Sequence, residues 1–167
     1  LSQLIQPKIE VEIAFILDDS LEGPGITSAD VLESTAGLVP SFEVIDSRIV
    51  DWNIKIEDSI ADNASSARII LGTPLKDITD LDLRRIGVVI RKNGLVKETS
   101  AGAAVLGNPA TSVAWLANKL TEYGVTLEER EIILSGSVVS PMEIKGGDVI
   151  QAEFGEGLGN ITTSVVK

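Results

Sequence analysis

An alternating segment near the start of the chain constrains the fold more than any other feature of the sequence. Between Lys8 and Leu17, every second residue on one side is large and apolar: Ile9, Val11, Ile13 and Phe15. The opposite side carries Glu10 and Glu12. A repeat of two residues is the period of a β-strand, whose neighbouring side chains point to opposite faces. The segment therefore predicts a strand with one apolar face for a core and one acidic face.

The region that follows predicts a short helix and a second strand. Thr27 with Asp30 resembles a capping box in which Asp replaces the usual Glu. Gly37 stands where a C′ residue would end a helix of about two turns. After Pro40, the mostly apolar residues from Ser41 to Val50 predict a second strand.

Local signals place most of the remaining elements. Residues 58–66 are polar and small, which predicts a loop. Asn93-Gly94 is the preferred dipeptide of a two-residue type I′ hairpin. Residues 109–123 predict the best-defined helix, with Asn108 as its N-cap and Gly124 as its stop. Further strands are predicted in the apolar runs 68–71, 132–134, 149–154 and 161–166.

The composition supports a single domain built mainly from sheet. Of the 167 residues, 44% are hydrophobic but only 4% are aromatic, so the core is expected to be aliphatic and rich in β-branched side chains. The sequence shows neither a repeat of fixed period nor a linker. We predict a β-dominated α+β fold with two helices, formed by residues 1–167 as one domain.

The charge and the cysteine count exclude several classes of partner. A formal net charge of −11 repels nucleic acids and anionic membrane surfaces, so neither is an expected partner. The sequence has no cysteine, no span long enough to cross a bilayer and no leader peptide, so we expect a cytoplasmic protein. Because the chain begins at Leu1 rather than Met, we also expect a fragment that lacks N-terminal residues.

The absence of histidine limits the chemistry further. It excludes an imidazole base, a Ser-His-Asp triad and every histidine-containing metal site within this chain. A metal bound here would have oxygen ligands only, which favours the hard cations Mg²⁺, Mn²⁺ and Ca²⁺.

Glu10 and Glu12 are the first candidates for such ligands. On a strand their Cα atoms lie about 6.5–7 Å apart on one face. Their repulsion is on the order of 0.6 kcal/mol in water and larger in a buried pocket unless a cation lies between them. The alternative is a solvated strand face with two harmless glutamates. Glu43 lies among apolar residues, so it needs either a metal or an ion pair, for which Arg48 and Lys55 are the candidates.

Four motifs occur here in the same order as in the fumarylacetoacetate hydrolase superfamily: Pro7-Lys8-Ile9-Glu10-Val11-Glu12-Ile13-Ala14-Phe15, Phe42-Glu43-Val44-Ile45-Asp46-Ser47-Arg48, Ala61-Asp62-Asn63-Ala64-Ser65-Ser66 and Leu134-Ser135-Gly136-Ser137. The chain resembles most closely the branch of 2-hydroxypentadienoate (2-oxopent-4-enoate) hydratases and 4-oxalocrotonate decarboxylases. This resemblance implies a mixed β-roll or sandwich of the C-terminal domain type.

The resemblance also implies a site. Its metal, Mg²⁺ or Mn²⁺, would be held by Glu10, Glu12 and Glu43. The resemblance places further pocket residues on two loops: Asp62 and Ser65 as catalytic candidates, with Asn63, Ser66, Ser135 and Gly136 as substrate-binding candidates. Asp62 would position water or a proton, although a capped turn is an equally good interpretation of this segment. Asp46, Arg48 and Lys55 are interpreted as ion-pair partners rather than catalytic groups.

The implied function is the conversion of small 2-oxo or 2-hydroxy dienoic acids in aromatic meta-cleavage degradation. Hydration of 2-hydroxypenta-2,4-dienoate is favoured by the segment Arg48 to Asn53, with decarboxylation of 4-oxalocrotonate as the alternative. A non-catalytic metal-binding assembly module is a third interpretation, because the chain lacks the N-terminal third of full-length relatives, including a lysine expected in proton transfer. The resemblance further implies a homo-oligomer and an association between hydratase and decarboxylase.

Overall fold

The predicted first strand lies at the centre of the larger of two sheets. A computed structural model describes residues 1–166, in which this sheet has the order β3-β2-β1-β6, with a short β7 also paired to β1. All of its pairs are antiparallel. In chain order its strands are β1 (Pro7–Leu17), β2 (Thr35–Asp46), β3 (Ser66–Leu71), β6 (Ile132–Leu134) and β7 (Met142–Glu143).

The smaller sheet has four antiparallel strands in the order β5-β4-β8-β9, so that two hairpins, β4–β5 and β8–β9, lie side by side. Its strands are β4 (Gly87–Lys92), β5 (Leu95–Ala101), β8 (Val149–Phe154) and β9 (Gly159–Ser164). Asn93 and Gly94 join β4 to β5 with φ angles of 54° and 79°. Both residues are left-handed, as a type I′ turn requires, and the predicted hairpin is confirmed.

Three α-helices accompany the sheets: α1 (Ser28–Glu33), α2 (Ile56–Ala61) and α3 (Pro109–Thr121). The Oδ1 atom of Asn108 accepts the Ala110 N–H at 3.0 Å, which confirms the predicted cap of α3. The capping box of α1 is confirmed as well, since Thr27 and Asp30 bond each other's backbone N–H groups. None of these helices is long and apolar enough to cross a bilayer.

The prediction that Gly37 ends the first helix is wrong. Helix α1 ends at Glu33, and Gly37 lies inside β2 opposite Ile16 of β1. A Cβ atom at Gly37 would stand 2.9 Å from the carbonyl oxygen of Leu75, so glycine is needed for a close backbone approach. The strand predicted from Ser41 to Val50 is β2, which begins earlier, at Thr35, and also ends earlier, at Asp46.

The loop predicted over residues 58–66 contains most of helix α2, and the count of two helices becomes three. The Asp58 carboxylate caps this helix by accepting the Lys55 N–H at 3.0 Å. None of the residues of α2 is buried. The helix therefore lacks the apolar stripe by which a sequence reveals helical periodicity. The predicted strand 161–166 is shifted as well, to β9.

One hydrophobic core lies between the two sheets and α3. The larger sheet contributes one face of its central strands: Ile9, Val11, Ile13, Phe15, Leu38, Phe42 and Val44, all of them buried. The smaller sheet contributes Val88, Ile90, Ile150, Ala152, Phe154 and Ile161. Alternation along β1 therefore turns Glu10 and Glu12 to the opposite, outer face of the larger sheet. The β-dominated fold class is confirmed.

Candidate metal centre

The pairing of β1 with β2 brings the three predicted ligands together. Glu10 lies directly opposite Glu43, and Glu12 lies opposite Ser41. Residues directly opposite each other in an antiparallel pair share a face, so all three carboxylates project from the outer face of the sheet. One oxygen from each carboxylate lies within 4.8 Å of the other two. Glu12 is 2% exposed, whereas Glu10 and Glu43 are partly buried.

The electrostatics of this cluster favour a cation. Burial and the neighbouring charge of Glu43 raise the pKa of Glu10 to about 7. Burial also raises the pKa of Glu12 to about 7, with repulsion from Glu43 and Glu10 adding to it against the Gly136 hydrogen bond. Protein alone therefore leaves these carboxylates poorly compensated at neutral pH.

The spacing of the oxygens fits one hard ion. Oxygens on opposite sides of an ion with bonds of about 2.0–2.6 Å lie at most roughly 4–5 Å apart. The observed limit of 4.8 Å agrees with that value. The predicted alternative of an ion pair to Arg48 or Lys55 is not found, since no ion pair among residues 1–166 involves Glu10, Glu12 or Glu43.

A loop from a distant part of the chain fixes Glu12. The Gly136 N–H donates to Oε2 of Glu12 at 2.7 Å. This loop continues β6 alongside β1, since the Ser135 N–H donates to the Ile13 carbonyl at 3.3 Å. Gly136 has a φ of +101°, where a side chain is strained. The geometry gives Gly136 a contact to the candidate ligand Glu12, while buried Ser135 directs its hydroxyl to the Gly136 carbonyl at 3.4 Å.

The second predicted loop forms a turn organised by Asp62. Its Oδ2 atom accepts the Ser65 hydroxyl at 2.8 Å and the Arg48 N–H at 3.2 Å. Its Oδ1 atom lies 3.3 Å from Nη1 of Arg48. Partial burial alone would raise the pKa of Asp62, but the hydrogen bonds from Ser65 and Arg48 and the charge of Arg48 outweigh it and lower that pKa. Asp62 is therefore an ionised acceptor near neutral pH.

Three successive residues of this turn are left-handed although none is glycine. Asn63, Ala64 and Ser65 have φ angles of 51°, 52° and 58°. Each such residue costs roughly 1–2 kcal/mol. Strain of this kind persists where the surroundings over-determine the backbone, and it is concentrated at functional sites.

The turn leads directly into β3, which pairs with β2, the strand that carries Glu43. Ser66 begins β3 and pairs with Ile45, which lies two residues after Glu43 on β2. Side chains two residues apart share a face at about 6.5–7 Å between Cα atoms. Asn63 is exposed and Ser66 is half-buried, so both can reach a ligand, whereas Ser65 is buried and its proton is used by Asp62.

A cleft lies beside the cluster and is not lined by the three glutamates. Its volume is about 640 Å³, and its lining includes Lys8, Trp52, Glu143 and Lys145. Lys8 lies over the Trp52 ring, with Nζ 4.4 Å from the ring centre. Because Lys8 precedes Glu10 by two positions on the same face of β1, this cleft begins beside the carboxylates. The charges of its lining are mixed, and they select no ligand by themselves.

Two features of the site were missed from the sequence. The contact from Gly136 to Glu12 joins residues 124 positions apart, and only the Ser-Gly-Ser motif hinted at it. Arg48 was a candidate ion-pair partner of Glu43, but its partner is Asp62. Asp46 instead accepts the N–H groups of Ile5 and Gln6.

Comparison with known proteins places this geometry in a family. The family model described as fumarylacetoacetate (FAA) hydrolase C-terminal matches residues 3–166. A 2-hydroxypent-2,4-dienoate hydratase of Pseudomonas putida is 52% identical over 74% of this chain and 55% of its own length. A 4-oxalocrotonate decarboxylase of Pseudomonas sp. (strain CF600) is 43% identical over 99% of this chain and 62% of its own length.

A solved structure agrees in fold over nearly the whole chain. The 4-oxalocrotonate decarboxylase from Pseudomonas putida G7, complexed with magnesium and adipate, superimposes with a TM-score of 0.93 at 41% identity. The match covers 99% of this chain and 62% of that one, so the chain spans less than two thirds of the length of each of these three relatives. With two sheets, a matched family model and relatives at this level of identity, the chain belongs to the fumarylacetoacetate hydrolase C-terminal family.

Proposed function

We propose that residues 1–167 form the catalytic domain of a metal-dependent lyase acting on small 2-oxo or 2-hydroxy dienoic acids. The proposed reaction is hydration of 2-hydroxypenta-2,4-dienoate to 4-hydroxy-2-oxopentanoate. One water is added overall, and its oxygen becomes the hydroxyl on C4. The relative named as a 2-hydroxypent-2,4-dienoate hydratase, at 52% identity, supports this choice.

The observation that carries the proposal is the convergence of three carboxylates within 4.8 Å. The pKa of Glu10 and of Glu12 is raised to about 7. No ion pair among residues 1–166 joins any of the three carboxylates to a basic side chain. A magnesium-bound relative with the same fold supports Mg²⁺ or Mn²⁺ as the ion. We propose Glu10, Glu12 and Glu43 as its ligands, with the Gly136 N–H fixing the orientation of Glu12.

A divalent cation in this site supplies Lewis acidity toward the oxygens of a 2-oxy acid. The side chains of the protein bind the substrate and orient it and the attacking water. We propose that Asn63 and Ser66 donate hydrogen bonds to the substrate carboxylate, with Ser135 and Gly136 lining the opposite side of the pocket. Ser65 keeps Asp62 in place. Oδ1 of Asp62, with one contact at 3.3 Å, retains acceptor capacity for the attacking water.

Decarboxylation of 4-oxalocrotonate (2-oxo-3-hexenedioate) is the second candidate. It is supported by the relatives named as decarboxylases, which are 41–43% identical to this chain. Both reactions would use the same three glutamates, so the ligand set does not distinguish them. A non-catalytic assembly module is the third candidate, and the enzyme names of the relatives speak against it.

The deciding experiment follows both substrates with the purified protein. Each is incubated with Mg²⁺ and again after chelation, while dienol absorbance and CO₂ release are recorded. Metal-dependent loss of 2-hydroxypenta-2,4-dienoate without CO₂ supports the hydratase. Release of CO₂ from 2-oxo-3-hexenedioate identifies a decarboxylase instead, and turnover of neither substrate contradicts both and favours the module.

The proposal extends to the setting of the enzyme. We propose a cytoplasmic homo-oligomer that serves aromatic meta-cleavage degradation and associates with its partner hydratase or decarboxylase. Exposed apolar side chains such as Ile56, Ile60 and Trp115 support assembly. Light scattering of the purified protein, alone and mixed with the partner enzyme, measures both associations.

A further inference from the structure

Arg48 connects the strand that carries Glu43 to the turn that carries the proposed substrate contacts. It follows the end of β2 by two residues. Its Nη1 atom reaches the Asp62 carboxylate at 3.3 Å, and the same atom donates to the carbonyl oxygens of Asp46 at 3.4 Å and Asp62 at 3.3 Å. Its backbone N–H also donates to the Asp62 carboxylate at 3.2 Å. The guanidinium thus contacts both the end of β2 and the first residue of the turn.

Asp62 in turn fixes the backbone that follows it. Its carbonyl accepts the Ser65 N–H at 2.9 Å, and its carboxylate accepts the Ser65 hydroxyl at 2.8 Å. These two bonds close over Asn63 and Ala64, which are left-handed together with Ser65. A run of left-handed non-glycine residues needs several simultaneous restraints, because each residue alone prefers another conformation.

The exposure of the two partners sets this ion pair apart from a surface salt bridge. The Arg48 side chain is 53% exposed, but the Asp62 side chain is 7% exposed. Removing the guanidinium leaves a buried carboxylate with fewer donors, which is costly for the geometry around it. The restraint is local, since no member of the hydrophobic core takes part.

We propose that Arg48 is a positioning residue, which acts through Asp62 to hold Asn63 and Ser66 beside the end of the Glu43 strand. This inference rests on the proposed function, since it assigns the turn to the substrate. Arg48 touches neither the three glutamates nor, in this proposal, the substrate. Its loss therefore weakens substrate binding while it leaves metal binding unchanged.

The test uses Arg48→Met, Asp62→Asn and the double variant, with Arg91→Met as the matched control. Arg91 forms an exposed ion pair with Glu153 at 3.2 Å in the smaller sheet. We expect Arg48→Met to raise KM about tenfold with a smaller change in kcat. The Mg²⁺ dissociation constant stays within about twofold of the wild type, and so do all parameters of the control. Arg48→Lys keeps the positive charge but loses the planar guanidinium with its several donors, so its KM is expected to lie between those of the wild type and Arg48→Met.

Coupling and hydrogen exchange separate positioning from a loss of stability. If Arg48 acts through Asp62, the double variant is no worse than Asp62→Asn alone. Exchange of the Ser65 amide also accelerates in Arg48→Met but not in Arg91→Met, because its bond to the Asp62 carbonyl is local to the turn. A variant that is merely less stable would show neither the KM change in its folded fraction nor the non-additivity.

Failure of the inference is distinct from failure of the proposed function. If the wild type turns over its substrate and Arg48→Met has unchanged KM, the positioning role is overturned and the function stands. The same holds if the Mg²⁺ dissociation constant rises in step with KM, since Arg48 would then act on the metal site. If the wild type turns over neither acid, the proposed function falls, and the positioning role falls with it.

Discussion

The Asp148 centre and the glutamate cluster differ in what surrounds their carboxylates. Asp148, at the turn before β8, is bonded by Lys92 at 2.8 Å, by the Asn93 amide at 2.9 Å and by the Lys145 N–H at 2.7 Å. These donors, Lys92 first, lower its pKa to about 2. Among residues 1–166, a single backbone N–H, that of Gly136, donates to the carboxylates of Glu10, Glu12 and Glu43, and it donates to Glu12.

The difference separates a structural carboxylate from one arranged for a ligand. The protein supplies every charge and donor that Asp148 needs, and the result ties the β4–β5 hairpin to the loop before β8. At the cluster the protein supplies burial and repulsion instead, so the pKa of Glu10 and of Glu12 rises to about 7. An apolar fold tolerates such a group only if something outside the chain compensates it.

The largest effect is expected where the cluster loses a ligand. Glu12→Gln keeps the size of the side chain and the acceptor for Gly136 but removes a charge from the proposed site. If the cation supplies several kcal/mol to the reaction, turnover falls roughly 10³-fold. Calorimetric Mg²⁺ titration and turnover of the dienoate measure the loss.

The same variant sharpens the contrast in stability. Without metal, Glu12→Gln removes a repelling carboxylate, so its melting temperature is expected to rise above that of the wild type. A lower melting temperature in chelator would show that Glu12 is already compensated by the protein, as Asp148 is. Glu98→Gln, on the exposed strand β5, is the control.

The second prediction concerns pH in the absence of metal. The pKa of Glu10 and of Glu12 is raised on folding from 4.5 to about 7. Stability from these groups is therefore complete below pH 4.5 and is lost as the pH rises through about 7. For Glu12 the shift corresponds to ~3 kcal/mol. Melting temperatures in chelator between pH 4.5 and 8 measure this loss.

Asp148 gives the opposite sign. Its pKa is lowered on folding from 3.8 to about 2, so its contribution to stability is present above pH 3.8 and is lost as the pH falls through about 2.

Mg²⁺ is expected to remove the loss of stability that Glu10 and Glu12 cause toward neutral pH, because Mg²⁺ binding requires ionised carboxylates. A decline that persists in saturating Mg²⁺, or that survives in a Glu10→Gln/Glu12→Gln variant, would place its origin elsewhere.

The third variant removes the charge of Asp148, the carboxylate that the protein itself compensates. Asp148→Asn loses the ion pair to Lys92, whose two side chains are 19% and 12% exposed. The melting temperature is expected to fall by several degrees, because Lys92 keeps its partly buried position without a counter-charge. Mg²⁺ affinity is expected to stay at the wild-type value. Thermal unfolding and Mg²⁺ titration measure the two quantities.

Asp82→Asn is the matched control for that variant. Asp82 pairs with Arg84 at 2.7 Å, but these side chains are 34% and 60% exposed. Exposed pairs contribute little, so its melting temperature should barely change. Equal losses in the two variants would mean that burial of the Asp148 centre is unimportant.

Local patterns account for the parts of the fold that the sequence predicted well. β1 has a two-residue period, α3 has a cap and a stop, and the Asn93-Gly94 turn needs only its own two residues. Helix α2 was missed because a helix without buried residues has no apolar stripe. Gly37 was misassigned because its role is a close approach to Leu75, which no local pattern shows.

The candidate site likewise has residues that the sequence predicted and contacts that it did not. Alternation supplied Glu10 and Glu12, and the apolar neighbours of Glu43 indicated that it needs a metal or an ion pair. The resemblance supplied the turn residues and the assignment of the three glutamates to one metal. Their convergence depends on the register of β1 with β2, which pairs Glu10 with Glu43. The sequence did not show how Asp62 uses Arg48 and Ser65, because hydrogen-bond partners in a left-handed turn follow from three-dimensional closure.

The smallest effect is expected at the single donor that the cluster does receive. Gly136→Ala strains a φ of +101°, and the nearest contact of its Cβ would be Val105 at 3.7 Å, so space is not the obstacle. The backbone must shift, and with it the N–H that holds Glu12 at 2.7 Å. We expect Mg²⁺ affinity to fall about tenfold, the usual effect of losing a group that orients a ligand. Gly159→Ala, at a φ of +98° with no atom within 4 Å, introduces similar strain far from the site and should leave Mg²⁺ affinity unchanged. If Gly136→Ala and Gly159→Ala bind Mg²⁺ equally well, the Gly136 N–H does not contribute to metal binding. The three glutamates would then adopt their ligand geometry without that donor, whereas Asp148 is held by its donors.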